Sequence, residues 1–258
     1  MLNRRTVLKS ASGAAAGLPL AAVLSDPILR SAVAQGLDTV SLDLPSGRTV
    51  NASLAVPAET PAGAVLLVHE WWGLNDQIRA VAAELANLGY VALAVDLMDN
   101  QVAETPQDAQ AQMAAVVAEE ATETLVAWID WLRASDLTNG KIATVGWCFG
   151  GGWSLQASLA TPVDGTIIYY GRVPGDAAEL ATLQSPVLGH FASQDQFIDT
   201  AMVTAFESAL EESGAAFDLH TYDANHAFAN PTSAAHDSED AQLAWQRTLE
   251  FLEQTIGG

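Results

Sequence analysis

Cys148 is the only cysteine in 258 residues, and it lies in Gly146-Trp147-Cys148-Phe149-Gly150-Gly151. A lone thiol cannot form an internal disulfide, so it is either a small buried apolar residue or a reactive group. Its neighbours select the second. The apolar run Ile142–Gly146 reads as a strand and Gly150–Leu159 as a helix, with the thiol between them. A chain turning this sharply strains the middle residue and lifts its side chain clear, and flanking glycines remove the Cβ atoms that would clash. The segment therefore has the G-x-S-x-G nucleophile pattern with Cys in place of Ser. A helix N-terminus beneath the sulfur favours the thiolate, the reactive form.

A nucleophile needs a base, and the base needs an orienting group. His226 lies in Asp223-Ala224-Asn225-His226-Ala227-Phe228, just after the apolar segment Phe217–Tyr222. Asp195 lies in Ala192-Ser193-Gln194-Asp195, just after Pro186–Phe191. The order Cys148, Asp195, His226 is the nucleophile–acid–histidine order of α/β-hydrolases. Asp199 competes for the acid position. His190 falls within a predicted strand, and His220 and His236 lack a matching position, so these three read as structural or surface histidines.

The elements that must position these residues alternate in type. Thr39–Leu44 and Val50–Val56 read as leading strands joined by the turn Pro45-Ser46-Gly47. Ala64–His69 is a continuous apolar run suited to a strand buried on both faces. Ile78, Val81, Leu85 and Leu88 repeat at helical spacing up to Gly89, and Tyr90–Val95 is the next strand. One long helix is expected from Asp108 to Ala134, with Met113, Val116, Val117, Leu125, Val126, Ile129 and Leu132 inward and Glu119, Glu120 and Glu123 solvated. Thr166–Tyr170, Pro186–Phe191 and Phe217–Tyr222 are further strands. Helices are expected around Met202–Leu210 and at the end, where Trp245, Leu249, Leu252 and Ile256 recur. The pattern defines an α/β fold of the α/β-hydrolase type: a mainly parallel sheet with helices on both faces. Ligands of such sheets bind beyond the carboxyl ends of the strands. Those ends carry His69-Glu70, Cys148, Tyr170-Gly171-Arg172, Asp195 and the loop holding His226.

The N-terminus reads as an export signal. Asn3-Arg4-Arg5-Thr6-Val7-Leu8-Lys9 places paired arginines ahead of the apolar stretch Ala14–Leu24, and Ala32-Val33-Ala34 offers a peptidase site. This describes a twin-arginine (Tat) leader over residues 1–34 and an exported, periplasmic or extracellular domain over 35–258, with the Tat machinery as a transient partner. Gly17 and Pro19 interrupt a run already too short to span a membrane. Cleavage after Ala34 removes four basic residues and one acidic one, taking the formal net charge from −21 to −24. Such a surface repels nucleic acid and anionic membranes, and suits a salty medium in which counterions screen self-repulsion.

The residues quoted above resemble the dienelactone hydrolase family. The likeness runs from Val68-His69-Glu70-Trp71-Trp72-Gly73 through the Cys148 turn and Tyr169-Tyr170-Gly171 to His226-Ala227-Phe228. It implies a monomeric, cofactor-free hydrolase of esters or lactones, in which Glu70 sits beside the thiol and helps control its ionisation. In that mechanism the backbone N–H groups of Phe149 and Trp71 hold the oxyanion, and His226 moves the protons. Trp72, Tyr170 and Arg172 are candidate substrate contacts. Family members that cleave dienelactone carry two arginines where this chain has Asn100 and Asn230, so an anionic substrate loses two charge-assisted pairs and a neutral one is expected. Arg172 could compensate, although its simpler reading is a surface arginine paired with one of the many acids.

Two other classes compete. A thiol-based redox sensor also needs one activated cysteine, but leaves Asp195, His226 and Glu70 unexplained. A non-catalytic binding protein on the same fold leaves the whole triad unexplained. His236-Asp237-Ser238-Glu239-Asp240 is acidic enough for a metal, but reads more simply as a solvated loop and helix cap.

Overall fold

A computed structural model describes residues 20–257. In chain order the elements are α1 (Leu20–Ser25), α2 (Pro27–Ala34), β1 (Asp38–Asp43), β2 (Thr49–Ala55), β3 (Ala62–Val68), α3 (Asp76–Asn87), β4 (Val91–Val95), α4 (Pro106–Ala115), α5 (Ala118–Ala134), β5 (Thr138–Trp147), α6 (Phe149–Ala160), β6 (Gly165–Tyr169), α7 (Ala177–Leu180), β7 (Val187–Ala192), α8 (Thr200–Ser213), β8 (Phe217–Tyr222) and α9 (Ser238–Ile256). The strands form one sheet in the order β1-β2-β4-β3-β5-β6-β7-β8. β1 and β2 pair antiparallel, as do β2 and β4, and every other pairing is parallel.

β3 and β4 are buried at every residue, as uninterrupted apolar strands must be when both sheet faces are covered. Their side chains alternate between two cores. Val65, Leu67, Ala92 and Ala94 pack with Ile78 and Leu85 of α3 and Leu252 of α9. Leu66, Val68, Leu93 and Val95 pack on the other face with Leu125, Trp128 and Leu132 of α5. A third core joins Ile168 of β6 and Phe191 of β7 to Phe206 and Leu210 of α8.

The single helix expected over Asp108–Ala134 is two. Val116 and Val117 are extended between α4 and α5, and the β-branched pair favours that backbone. Met113 and Val117 are accordingly exposed rather than part of an inner stripe. Of the three glutamates assigned to solvent, Glu120 and Glu123 approach Arg48 at 3.5 and 3.7 Å.

The twin arginines and the apolar stretch up to Pro19 lie outside the described residues. The rest of the expected leader forms α1 and α2, where Asp26 caps α2 by accepting from Ile28 N–H at 2.8 Å. Val23, Leu24 and Ala34 are buried, the first two in the core shared with α3. Ala32-Val33-Ala34 is the last turn of α2. Among the described residues no helix is long and apolar enough to cross a membrane.

Candidate active site

Parallel strands bring their carboxyl ends to one edge, and five of them deliver the chemistry. β3 leads to Glu70, β5 to Cys148, β6 to Tyr170, β7 to Asp195 and β8 to the loop of His226. At the β5–α6 junction Cys148 has φ 55° and ψ −118°, a region that side chains rarely adopt. Its N–H donates to the Tyr169 carbonyl (3.0 Å), and its carbonyl accepts from Gly151 N–H (3.0 Å). The glycines are obligatory. A Cβ at Gly146 would strike the Gly150 carbonyl, and one at Gly150 the carbonyls of Val68 and His69.

His226 Nδ1 lies 2.6 Å from Asp195 Oδ2. The other Asp195 oxygen accepts from the N–H groups of Phe197 (2.8 Å) and Ile198 (3.0 Å). Burial pushes the Asp195 carboxyl up, but the bonds from His226, Ile198 and Phe197 outweigh it and hold the pKa below the usual carboxylate value. Burial also pulls the His226 pKa down. Its bonds to Asp195 and Cys148, with both their charges, prevail and raise it to about 10. Asp199, the competing acid, instead caps α8 by accepting from Met202 N–H at 2.8 Å.

Glu70 is buried, with Asn230 Nδ2–H donating to Oε2 (2.6 Å) and the Tyr170 hydroxyl to Oε1 (3.4 Å). Burial raises its pKa against the opposing effects of Asn230, the His226 charge and Tyr170. Tyr170 itself has φ 36°, held by its N–H on the His190 carbonyl (2.7 Å). Burial, then the charges of Glu70 and Cys148, push its hydroxyl well above the ordinary tyrosine value, so it remains a donor.

One residue at this edge was missed as a functional group. His69 is fully buried, and burial lowers its pKa against the pull of the Glu70 carbonyl and Asp96. Leu97 N–H donates to His69 Nε2 (3.2 Å), so the ring proton sits on Nδ1, which donates to the Glu70 carbonyl at 2.6 Å. That carbonyl belongs to the Glu70–Trp71 peptide, whose N–H is an expected oxyanion donor. The ring also stacks on Phe149, the other donor residue, at 6.0 Å. A polar residue ending an otherwise apolar strand was the available signal.

The remaining expectations divide. Trp71, Trp72, Phe149, Tyr170, Arg172 and Asn230 line one cavity with Glu70, Cys148 and His226. Asn230 is buried in it with its amide committed to Glu70. Asn100 is not in the cavity wall: it is exposed at φ 62°, its N–H bound to Asp96 Oδ2, because the loop after β4 turns away there. Arg172 is exposed to the cavity and forms no ion pair within 4.0 Å among the described residues, which corrects the reading of a paired surface arginine. The Trp71 carbonyl accepts from Gln112 Nε2 of α4 (2.9 Å), so α4 tethers the loop after β3. The other histidines are structural: His190 bonds Tyr222 (2.8 Å), His220 approaches Asp218 (3.1 Å), and His236 meets the Phe228 carbonyl (2.9 Å). Asp237 caps α9 through Glu239 and Asp240 N–H, and no metal-binding cluster occurs among the described residues.

A nucleophile turn after the fifth strand, with an acid and a histidine after the seventh and eighth, defines an α/β-hydrolase. Solved folds agree: a dienelactone hydrolase-like promiscuous phosphotriesterase from metagenomic libraries superposes with a TM-score of 0.78 at 20% identity, over 86% of this chain and 99% of its own. The chain belongs to the dienelactone hydrolase family, whose model matches residues 50–256, and it is thus an ester- or lactone-cleaving hydrolase. A protein of Saccharolobus solfataricus is 31% identical over 246 residues, covering 80% of this chain and 94% of its own. The carboxymethylenebutenolidase of Pseudomonas putida is 29% identical over 226 residues, covering 83% and 94% respectively.

Proposed function

We propose that this hydrolase cleaves neutral carboxylic esters or lactones through a thioester on Cys148. The observation that carries the reading is the 2.6 Å bond from His226 to Asp195 beside the strained thiol turn. Held by Asp195, His226 takes the Cys148 proton as the sulfur attacks. Sulfur attacks the carbonyl carbon, and the developing oxyanion is met by the backbone N–H groups of Phe149 and Trp71, each worth roughly 3 kcal/mol. The carbon–oxygen bond then breaks, and His226 gives its proton to the departing alkoxide. Having given its proton to the leaving group, the imidazole is neutral and free to act as the base of the second half-reaction. It takes a proton from water, which attacks the thioester and releases the acid and Cys148. Glu70, kept close by Asn230 and Tyr170, exchanges charge with the thiol between cycles.

Neutrality of the substrate follows from the cavity wall. Asn230 is engaged by Glu70, Asn100 lies elsewhere, and the chain carries −21 overall, so Arg172 is, among the described residues, the one cation of the wall outside the triad to favour an anion. The test uses Cys148→Ala and one lactone as free acid and as methyl ester. The variant should lose turnover while keeping its fold, and the methyl ester should be favoured about tenfold in kcat/KM. A fully active alanine variant overturns the thioester. A free acid that wins through Arg172 overturns the preference. A protein that turns over no ester, but whose thiol oxidises reversibly, favours the redox-sensor class. We also propose that the leader over residues 1–34 exports the enzyme by the Tat route, with Gln35 as the mature N-terminus by mass spectrometry.

A further inference from the structure

The cavity above Cys148 has a volume of about 1360 Å³, beyond the ~300–1,000 Å³ usual for small-molecule sites. A compact lactone would leave most of it filled with water. Its walls are aromatic to an unusual degree, since three of the chain's seven tryptophans, Trp71, Trp72 and Trp153, line it. Trp71 and Trp72 meet edge to face at 5.1 Å, and Phe149 and Trp153 do so at 6.1 Å, which presents ring faces and edges at several angles. Phe197 sits at 5.3 Å from the His226 ring, yet is 72% exposed. A phenyl ring left in water beside the catalytic histidine lacks the apolar partner its surface calls for.

Charge narrows the ligand further. In a chain of 31 acidic residues, the acidic and basic side chains of the wall besides His226 are Glu70, Arg172 and Glu179. Glu70 is already engaged by Asn230 and Tyr170, which leaves Arg172 and Glu179 as the charged side chains of the wall not tied to the reacting groups. A guanidinium without an ion pair among the described residues, set among aromatic walls, is suited to lie over the face of another ring.

We propose that the preferred substrate is a neutral ester bearing a polycyclic aromatic group, whose rings occupy the space walled by Trp71, Trp72, Trp153 and Phe197. This rests on the ester-hydrolase reading and names its substrate class. Ring size and not merely bulk is what the wall selects, because offset and edge-on aromatic contacts add to the burial that any apolar group would gain.

The test compares acetates of primary alcohols whose leaving groups differ little in basicity: benzyl, naphthylmethyl, cyclohexylmethyl and octyl acetate. kcat/KM should rise about tenfold from benzyl to naphthylmethyl, and naphthylmethyl should exceed octyl by a similar factor. Trp153→Ala and Phe197→Ala should each shrink the naphthylmethyl-to-benzyl ratio. Equal or better turnover of octyl acetate, or a ratio untouched by both substitutions, overturns the proposal and leaves the esterase reading standing. Should the enzyme hydrolyse none of these esters, calorimetry with Cys148→Ala decides the matter separately. Naphthylacetone should then bind about tenfold more tightly than octan-2-one, and equal affinities overturn the aromatic assignment.

Discussion

His226 draws its basicity from two partners of different kinds, and this gives the site a pH signature. Its folded pKa lies at about 10, above the ordinary value of 6.5. Its pairing therefore stabilises the fold in full below pH 6.5 and is lost as pH rises through about 10. Thermal stability should fall across that window in the wild type and fall less in His226→Gln, as a melting series reads directly. His69 makes a different kind of contribution, since it touches the Glu70–Trp71 peptide and Phe149, the expected oxyanion donors, and no expected reacting atom. His69→Leu removes the Nδ1–H that fixes the Glu70–Trp71 peptide. It should lower kcat about tenfold or more with little change in KM. Alkylation of Cys148 by iodoacetamide needs no oxyanion hole and should proceed at the wild-type rate. His69→Asn restores a donor near the Nδ1 position and should recover much of the loss. Parallel loss of kcat and alkylation would instead mean that the substitution disorders the thiol itself.

At the scale of elements, the site depends on how closely α6 can approach β3. Gly150 lies against the carbonyls of Val68 and His69, which are backbone and cannot swing aside. Gly150→Ala should cost about 3 kcal/mol or more, since overpacking against fixed atoms strains both elements. Urea denaturation measures it, and a near-neutral change would show that β3 and α6 can separate. Gly146→Ala strikes the Gly150 carbonyl in the same way. The helix break at Val116 and Val117 has a functional consequence too: it frees α4 from the core, so that Gln112 reaches the Trp71 carbonyl and Met113 joins the cavity wall. A continuous helix would have carried those residues into the packing of α5.

For the whole molecule the dominant quantity is charge. At −21, with two arginine–glutamate contacts at Arg48 and a local pair each at Arg79 and Arg133, like-charge repulsion outweighs the few attractive contacts. Salt shortens the reach of that repulsion to about 3 Å at 1 M. The melting temperature should therefore rise between dilute buffer and molar sodium chloride, and a flat or falling trend would show that the acids are already well spaced. The packing of α1 and α2 on α3 bears on the same scale, because a chain processed after Ala34 leaves that surface of α3 to solvent.

Several features of this protein were set by the order of residues along the chain. The alternation of apolar runs with helical spacing determined a parallel sheet covered on both faces, because burial on two sides demands uninterrupted apolar strands. The glycines around Cys148 determined the turn, because no other residue tolerates that approach. The order of Cys148, Asp195 and His226 followed from strand ends, where a parallel sheet collects its functional groups. Tertiary structure decided what depends on distance between segments remote in sequence. It selected Asp195 over Asp199, since both follow β7 and only one faces His226. It joined Asn230 to Glu70 across 160 positions, turned Asn100 out of the cavity, and left Arg172 without a carboxylate partner among the described residues. It also placed His69 against the Glu70–Trp71 peptide and the Phe149 ring. That placement exists only because α6, the β4–α4 loop and the end of β3 meet at one point, a coincidence in space that no spacing along the chain encodes.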